Sequence, residues 1–164
     1  MPSSSVNMDI LQQYAALFVT LENGALFKLT LALFLGLLLG LERTVAGKMA
    51  GMRTYGLVSL ASCLLTVSYT LLPNLGVGYN QAIIISGVIS GIGFLGAGLI
   101  IFHDDKLVGL TSAAGLWIAV AVGLTVGYGM YALALFATFL TLFVFTGMWY
   151  LERSVRSVAD NHSE

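Results

Sequence analysis

Charge is scarce in this sequence and missing from most of its interior. Only 9% of the 164 residues are Asp, Glu, Lys or Arg, against roughly 25% in an average soluble domain. None falls between Arg53 and His103, and none between Lys106 and Glu152. Two such stretches, in a chain that is 58% hydrophobic with a mean hydropathy of +0.93, exclude a water-soluble globular domain. They imply an integral membrane protein with little outside the bilayer. The near-balance of seven basic and eight acidic residues leaves no basic surface to track phosphates, so a nucleic-acid binder is excluded. A single cysteine, Cys63, excludes an intrachain disulfide. The opening Met1-Pro-Ser-Ser-Ser has no positive n-region and no apolar h-region, so no cleavable signal peptide is expected.

Soluble-enzyme chemistry is missing too. There is no Ser/His/Asp arrangement and no Cys/His ligand spacing, which predicts a non-enzymatic protein with no catalytic or cofactor-binding residues. His162 lies in the polar tail. His103-Asp104-Asp105 reads as a solvated turn, because three adjacent residues cannot all point at one ion. A magnesium pathway needs hard oxygen ligands, normally carboxylates. The uncharged runs offer only hydroxyls, amides and backbone carbonyls. A self-contained monomeric Mg²⁺ carrier is therefore poorly supported, although a pore at an oligomer interface stays open.

What the chain has in abundance is glycine. Gly87, Gly91, Gly93, Gly96 and Gly98 crowd one apolar run with Ser86, Ser90 and Ala97. Each costs up to about 1 kcal/mol relative to alanine in a helix interior. In a membrane helix small residues instead let a neighbouring backbone approach closely. This run is expected to be the packing hub of a helix bundle. Gly91-x-Gly93-x-x-Gly96 also matches the dinucleotide-binding pattern. That fingerprint needs a strand before it in a soluble βαβ unit, and here apolar helical flanks exclude it.

In order, residues 1–24 form a polar lead-in, read as an interfacial helix or the frayed start of the first span. Five spans follow, at about 26–41, 55–72, 82–102, 107–127 and 130–151, within a membrane domain of residues 25–151. A polar tail occupies 152–164. Gly36-x-x-x-Gly40 gives the first span a small-residue face, and Gly109 opens the fourth. Lys28 is expected to snorkel to the headgroups, and Trp149-Tyr150 to sit in an interfacial belt. Arg43, Lys48 and Arg53 lie in the first loop, Lys106 in the third, and Arg153 and Arg156 in the tail. The positive-inside rule then places the N-terminus outside and the C-terminus in the cytoplasm. Gly56-Leu57-x-Ser59-x-Ala61 and Gly109-Leu110-x-Ser112-x-Ala114 match each other. Such matches come cheaply in a Gly/Ala/Leu/Ser-rich chain, so chance coincidence is weighed against duplication.

Ionisable groups at the membrane are functional candidates by default. Glu42 and Arg43 end the first span, and Arg53-Thr54 enter the second. The competing reading is a topology anchor with a Glu42–arginine pair; for Lys48 the anchor is favoured. Glu42 is the one candidate ligand for a metal.

Gly40-Leu-Glu-Arg43, Ala50-Gly-Met-Arg-Thr54, Ser90-Gly-Ile-Gly-Phe-Leu-Gly-Ala-Gly98, and Gly109-Leu-Thr-Ser-Ala-Ala114 with Leu116-Trp117 resemble the successive signatures of the MgtC/SapB family. Their order and spacing agree over roughly residues 30 to 150. The resemblance implies a five-span, multi-pass protein of the bacterial inner membrane. It links the chain to magnesium limitation, acid stress and survival in host phagocytes. Family members are discussed as modulators of other membrane proteins, including the rotary ATP synthase and a P-type magnesium ATPase, with Mg²⁺ as regulator or substrate. The chain looks like the shorter SapB-like form, without a C-terminal cytoplasmic ACT-like domain. Glu42, Arg43, Gly51, Arg53 and Thr54 match the first motif. Ser90, Gly91, Gly93, Phe94, Gly96 and Gly98 match the second, and Gly109, Leu110, Thr111 and Trp117 the third. Gly87, Val108 and Tyr55 depart from the glutamine, arginine, and histidine or asparagine common at those places.

The resulting expectation is an all-α, five-helix membrane bundle, homo-oligomeric through small-residue faces. It acts as a non-enzymatic regulator through other membrane proteins. Ser90 and Thr111 join Glu42, Arg43, Arg53 and Thr54 as functional candidates. The alternatives are an ion or small-solute transporter with its site at the cytoplasmic ends of the first three spans, and an assembly factor for a membrane complex.

Overall fold

A computed structural model describes residues 4–71, 80–103 and 106–160, with side chains over 24–70, 82–103 and 106–148 and at Asn80. The described chain holds five helices: α1 (Ser4–Val45), α2 (Met52–Leu71), α3 (Gln81–Leu99), α4 (Leu110–Gly127) and α5 (Tyr131–Asp160). Four contain stretches long and apolar enough to cross a membrane: Gly24–Val45, Ala82–Leu99, Leu110–Gly127 and Tyr131–Met148.

α2 and α4 start at Met52 and Leu110 rather than at about 55 and 107, and the ends of the elements differ from the sequence reading more widely in three other places. Nothing between Ser4 and Val45 breaks the helix, since no proline intervenes, so the lead-in and the first span are one helix. The third helix stops at Leu99 rather than 102. Ile101–His103 and Lys106–Val108 then form β1 and β2, a short antiparallel hairpin pairing Ile101 with Val108 and His103 with Lys106. Finally, α5 continues through Glu152 to Asp160, because neither proline nor glycine follows Gly147 to stop it. The Pro73–Gly78 connection, Asp104-Asp105 and the side chains of Trp149-Tyr150 lie outside the described residues.

The centre of the bundle is α2, not the glycine-rich α3. Among the described residues the broadest contacts are α2 with α1 and α2 with α4. Small residues on three helices allow this. A Cβ on Gly36 of α1 would stand 2.7 Å from the Tyr55 carbonyl oxygen and the Ser59 Cβ, and one on Gly40 would stand 2.5 Å from the Met52 Cα. On α4, a Cβ on Gly123 would press on the Ser59 backbone, and one on Gly127 would lie 2.5 Å from the Thr66 Cβ. These pairings run 40 to 52 and 36 to 59, so α1 and α2 are antiparallel. They run 123 to 59 and 127 to 66, so α2 and α4 are parallel.

Tyr55, Ser59, Ser62 and Thr66 form the interior stripe of α2, each buried. Buried hydroxyls must find acceptors, and these do. Tyr55 donates to the Ser112 carbonyl at 2.9 Å and Ser59 to the Ala32 carbonyl at 2.8 Å. Ser62 donates to the Val58 carbonyl and Thr66 to the Ser62 carbonyl, both at 2.8 Å. Two of the four bonds cross between helices and stitch α2 to α1 and α4. The seam excludes water by backbone proximity rather than by bulky side chains.

By contrast, a Cβ on Gly87, Gly91, Gly93 or Gly98 of α3 would meet nothing within 4 Å. Gly96 faces Ala113 at an ordinary 3.8 Å. The expectation that α3 is the hub is therefore corrected within the chain: its glycines line an open face. The physical reason is that small residues permit close packing without supplying the surface that draws a neighbour in.

Gly109 has a different task from the helix face expected of it. It precedes α4 with φ of 91°, a left-handed conformation that L side chains rarely adopt. A Cβ there would run into the Leu99 carbonyl, so the turn from hairpin to α4 needs glycine. Its partner in the apparent repeat, Gly56, is an ordinary helical residue inside α2, so the two matching segments do not share a local conformation.

Candidate functional site

The charged end of the bundle is where α1 and α5 end and α2 and α4 begin. Here the last turns of α1 place Glu42 and Arg43 side by side. Arg43 is only 3% exposed. Its Nε donates to the Glu42 carboxylate, and its guanidinium lies 3.7 Å from the centroid of the Phe145 ring of α5. A charge this buried persists only when paired and hydrogen-bonded. A carboxylate on one side and an aromatic face on the other suit the flat, weakly hydrated guanidinium.

Gly115 of α4 makes the room for this cluster. A Cβ at that position would meet the Tyr55 hydroxyl and come within 2.6 Å of the Phe145 ring. Tyr55, Phe145 and the α4 backbone thus converge where α4 has no side chain. Sequence reasoning named Glu42 and Arg43 and missed Phe145, Gly115 and the Tyr55–Ser112 bond. No local signal marked them, since the partners come from helices far apart in sequence.

Glu42 also looks outward. With Leu38, Leu41, Val45 and Ala46 of α1 and Leu142 and Thr146 of α5, it lines a mostly apolar cavity of about 640 Å³. Any cation bound there would compete with Arg43 for the carboxylate. Among the described residues, no group of three or more His, Cys, Asp and Glu could hold a metal ion.

The remaining candidates are not gathered at the Arg43 cluster. Arg53 and Thr54 are exposed on the first turn of α2 and line a cavity with Thr44 and Lys48. Thr111 is exposed on the first turn of α4 and lines a neighbouring cavity, again with Lys48. Lys48, favoured as a mere anchor, therefore lines both, together with its neighbour Met49. Ser90 is exposed on α3, apart from either cavity.

The opposite end holds a contact that composition hid. Lys28 does not simply reach for headgroups: its Nζ donates to the Gly127 carbonyl at 3.0 Å. This satisfies one of the orphan carbonyls in the last turn of α4 and places a cation at the negative end of that helix.

Comparison with known proteins fits this architecture. The profile described as the MgtC family matches residues 29–154. The chain is 37% identical over 145 residues to Protein SrpB of Synechococcus elongatus, covering 79% of this chain and 78% of that one. It is 38% identical over 111 residues to a protein of Escherichia coli named Putative magnesium transporter YhiD, covering 65% of this chain and 52% of the relative. It is 37% identical over 118 residues to Protein MgtC of Salmonella typhimurium, covering 71% of this chain and 49% of the relative. The chain thus spans most of SrpB but about half the length of YhiD and MgtC. No solved structure matches it.

Proposed function

Because the chain belongs to the MgtC family of multi-pass membrane proteins, we propose that it is a non-enzymatic regulator in magnesium-limitation and acid-stress adaptation, acting through other membrane proteins. The observation that carries this reading is the closed centre of the bundle. The α1–α2–α4 seam is at backbone contact, and its hydroxyls are committed to carbonyls. At the charged end Arg43 is held between Glu42 and Phe145. A solid centre favours docking over conduction through one protomer. The apolar surface of α3, with Phe94 81% and Ile83 67% exposed, suits contact with lipid, a second copy of the chain or another membrane protein. The proposed setting is the bacterial inner membrane, with all five helices spanning it and the charged end in the cytoplasm by the positive-inside rule. By family resemblance, the rotary ATP synthase and a P-type Mg²⁺ ATPase are the partners to test first.

A second reading, a transporter of Mg²⁺ or another small ion, is favoured by one observation: Glu42 opens onto a cavity between α1 and α5. The name of the Escherichia coli relative points the same way. Flux into proteoliposomes holding the purified protein and a magnesium-sensitive dye separates the two. The regulator reading expects no uptake from folded protein and detergent-stable capture of a defined membrane partner. Saturable uptake that is lost in Glu42→Gln would overturn it. Capture that serves only to build the partner complex, with no change in the activity of the assembled complex, would instead identify an assembly factor.

A further inference from the structure

The two cavities that share Lys48 have the electrostatics of an anion site. Four positive features line the pair. Lys48 projects from the turn after α1, and Arg53 from the first turn of α2, both exposed. The N-terminus of α2 lines one cavity at Arg53 and Thr54 and that of α4 lines the other at Thr111, and each carries about half a positive charge in its unpaired N–H groups. On α2, the first intrahelical bond is Tyr55 N–H to the Gly51 carbonyl, so the N–H groups of Arg53 and Thr54 lie before the ladder begins. On α4, the Gly109 cap has no side-chain hydrogen bond. Among the described residues no carboxylate is paired with Lys48 or Arg53, whereas Arg43 is paired with Glu42.

The cavity at α2, about 610 Å³, combines these cations with the hydroxyls of Thr44 and Thr54 and an apolar wall of Leu37 and Met52. The Thr44 hydroxyl is already used: it accepts from the Met52 N–H at 3.0 Å and donates to the Gly40 carbonyl at 2.9 Å. It fixes the turn, leaving Thr54, Lys48 and Arg53 for a ligand. Like charges confined this way repel one another unless an anion enters. A divalent cation in this cavity would meet the same repulsion.

We propose that this cavity holds a phosphate group, borne by an anionic lipid or free in solution, with Lys48 and Arg53 as its principal contacts. Guanidinium and ammonium groups beside helix N–H groups are the donors that phosphate oxygens accept from. The apolar wall, formed in part by Leu37 within the α1 membrane stretch, would suit the glycerol and upper acyl carbons of a lipid. The inference is independent of whether the chain regulates or transports.

The test uses the full chain in a neutral detergent, titrated with short-chain phosphatidylglycerol, phosphatidylcholine or inorganic phosphate, with the thermal midpoint as readout. Phosphatidylglycerol is expected to raise the midpoint saturably, and phosphatidylcholine to do so far less. The double variant Lys48→Gln/Arg53→Gln should weaken the apparent affinity by about tenfold or more, the loss expected of charge-assisted contacts. Arg53→Lys should stay within about threefold, since it keeps the charge and loses only the fork. Both positions are exposed, so the glutamine variants should fold as the parent does. Saturable stabilisation by inorganic phosphate, lost in the double variant, would support the same site with a soluble anion as its source. No response to either anionic probe, or equal responses in parent and double variant, would overturn the proposal.

Discussion

Replacing glycine by alanine at Gly36 of α1 and at Gly91 of α3 adds the same methyl group to two helices with opposite consequences. At Gly36 the new Cβ would stand 2.7 Å from the Tyr55 carbonyl oxygen and 3.0 Å from the Gly56 Cα. Backbone atoms cannot rotate aside, so α1 and α2 must part by about half an ångström or more. A gap of that size forfeits roughly a quarter to a half of the dispersion attraction between the facing atoms. Overpacking of this kind costs about 1–3 kcal/mol. The better helix propensity of alanine returns up to about 1 kcal/mol, leaving a net loss of about 0–2 kcal/mol when the return is full. At Gly91 nothing lies within 4 Å, so the propensity gain stands alone and the variant should be neutral or more stable by up to about 1 kcal/mol. The propensity gain is common to both, so the two should differ by the overpacking cost alone, about 1–3 kcal/mol. Unfolding in mixed micelles by added denaturing detergent, followed by tryptophan fluorescence at low protein concentration, measures it. Equal destabilisation by both substitutions would refute α2 as the centre of the bundle. A loss at Gly91 that appears only at high protein concentration would place its open face in an oligomer contact.

Three further predictions concern polar contacts in the bundle. Arg43→Met leaves Glu42 partly buried without its partner and should cost about 3–5 kcal/mol, whereas Glu42→Gln/Arg43→Met should recover most of that loss; the same detergent unfolding checks both, and an additive double variant would refute the pair. Tyr55→Phe removes the inter-helix bond to the Ser112 carbonyl, which keeps its partner in the α4 ladder, and should cost about 0.5–1.5 kcal/mol with the helices still formed by circular dichroism. Lys28→Met removes a charged donor from the C-terminal turn of α4. It should lower stability by about 1–2 kcal/mol, with amide exchange accelerated around Gly127 rather than around Gly109.

What the sequence made legible was chemistry that is local in the chain. The uncharged runs between Arg53 and His103 and after Lys106 marked apolar helices, because hydropathy sums over neighbours in sequence. The Gly127-Tyr-Gly129 turn was legible for the same reason: α4 ends at Gly127, and Gly129 takes φ of 81°. The rank order of the helices was not legible. Five glycines made α3 look like the hub, yet a glycine says only that a neighbour is permitted, and the neighbour's surface decides whether one comes. On α2 the decisive signal was fainter: Tyr55, Ser59, Ser62 and Thr66 recur at helical spacing inside a stretch read simply as a span. Hydroxyls on one face of an apolar helix need carbonyl acceptors, and acceptors that cross between helices require backbones close enough to offer them. That stripe, more than any glycine motif, identifies which helix the others surround.

The charged end follows the same logic. Glu42 and Arg43 stood out as adjacent ionisable groups, but adjacency cannot say that one is buried. Burial came from α5, whose Phe145 covers the guanidinium, and from α4, whose Gly115 leaves room for Phe145 and Tyr55 together. Lys48 was discounted because a lone lysine in a loop usually only anchors a helix. Its importance comes from α2 and α4 running parallel, so that both positive ends open beside it. One end of the bundle therefore separates two charge environments. Arg43 is neutralised from within by Glu42, while Lys48 and Arg53 lack a described carboxylate and depend on what the membrane or the cytoplasm supplies.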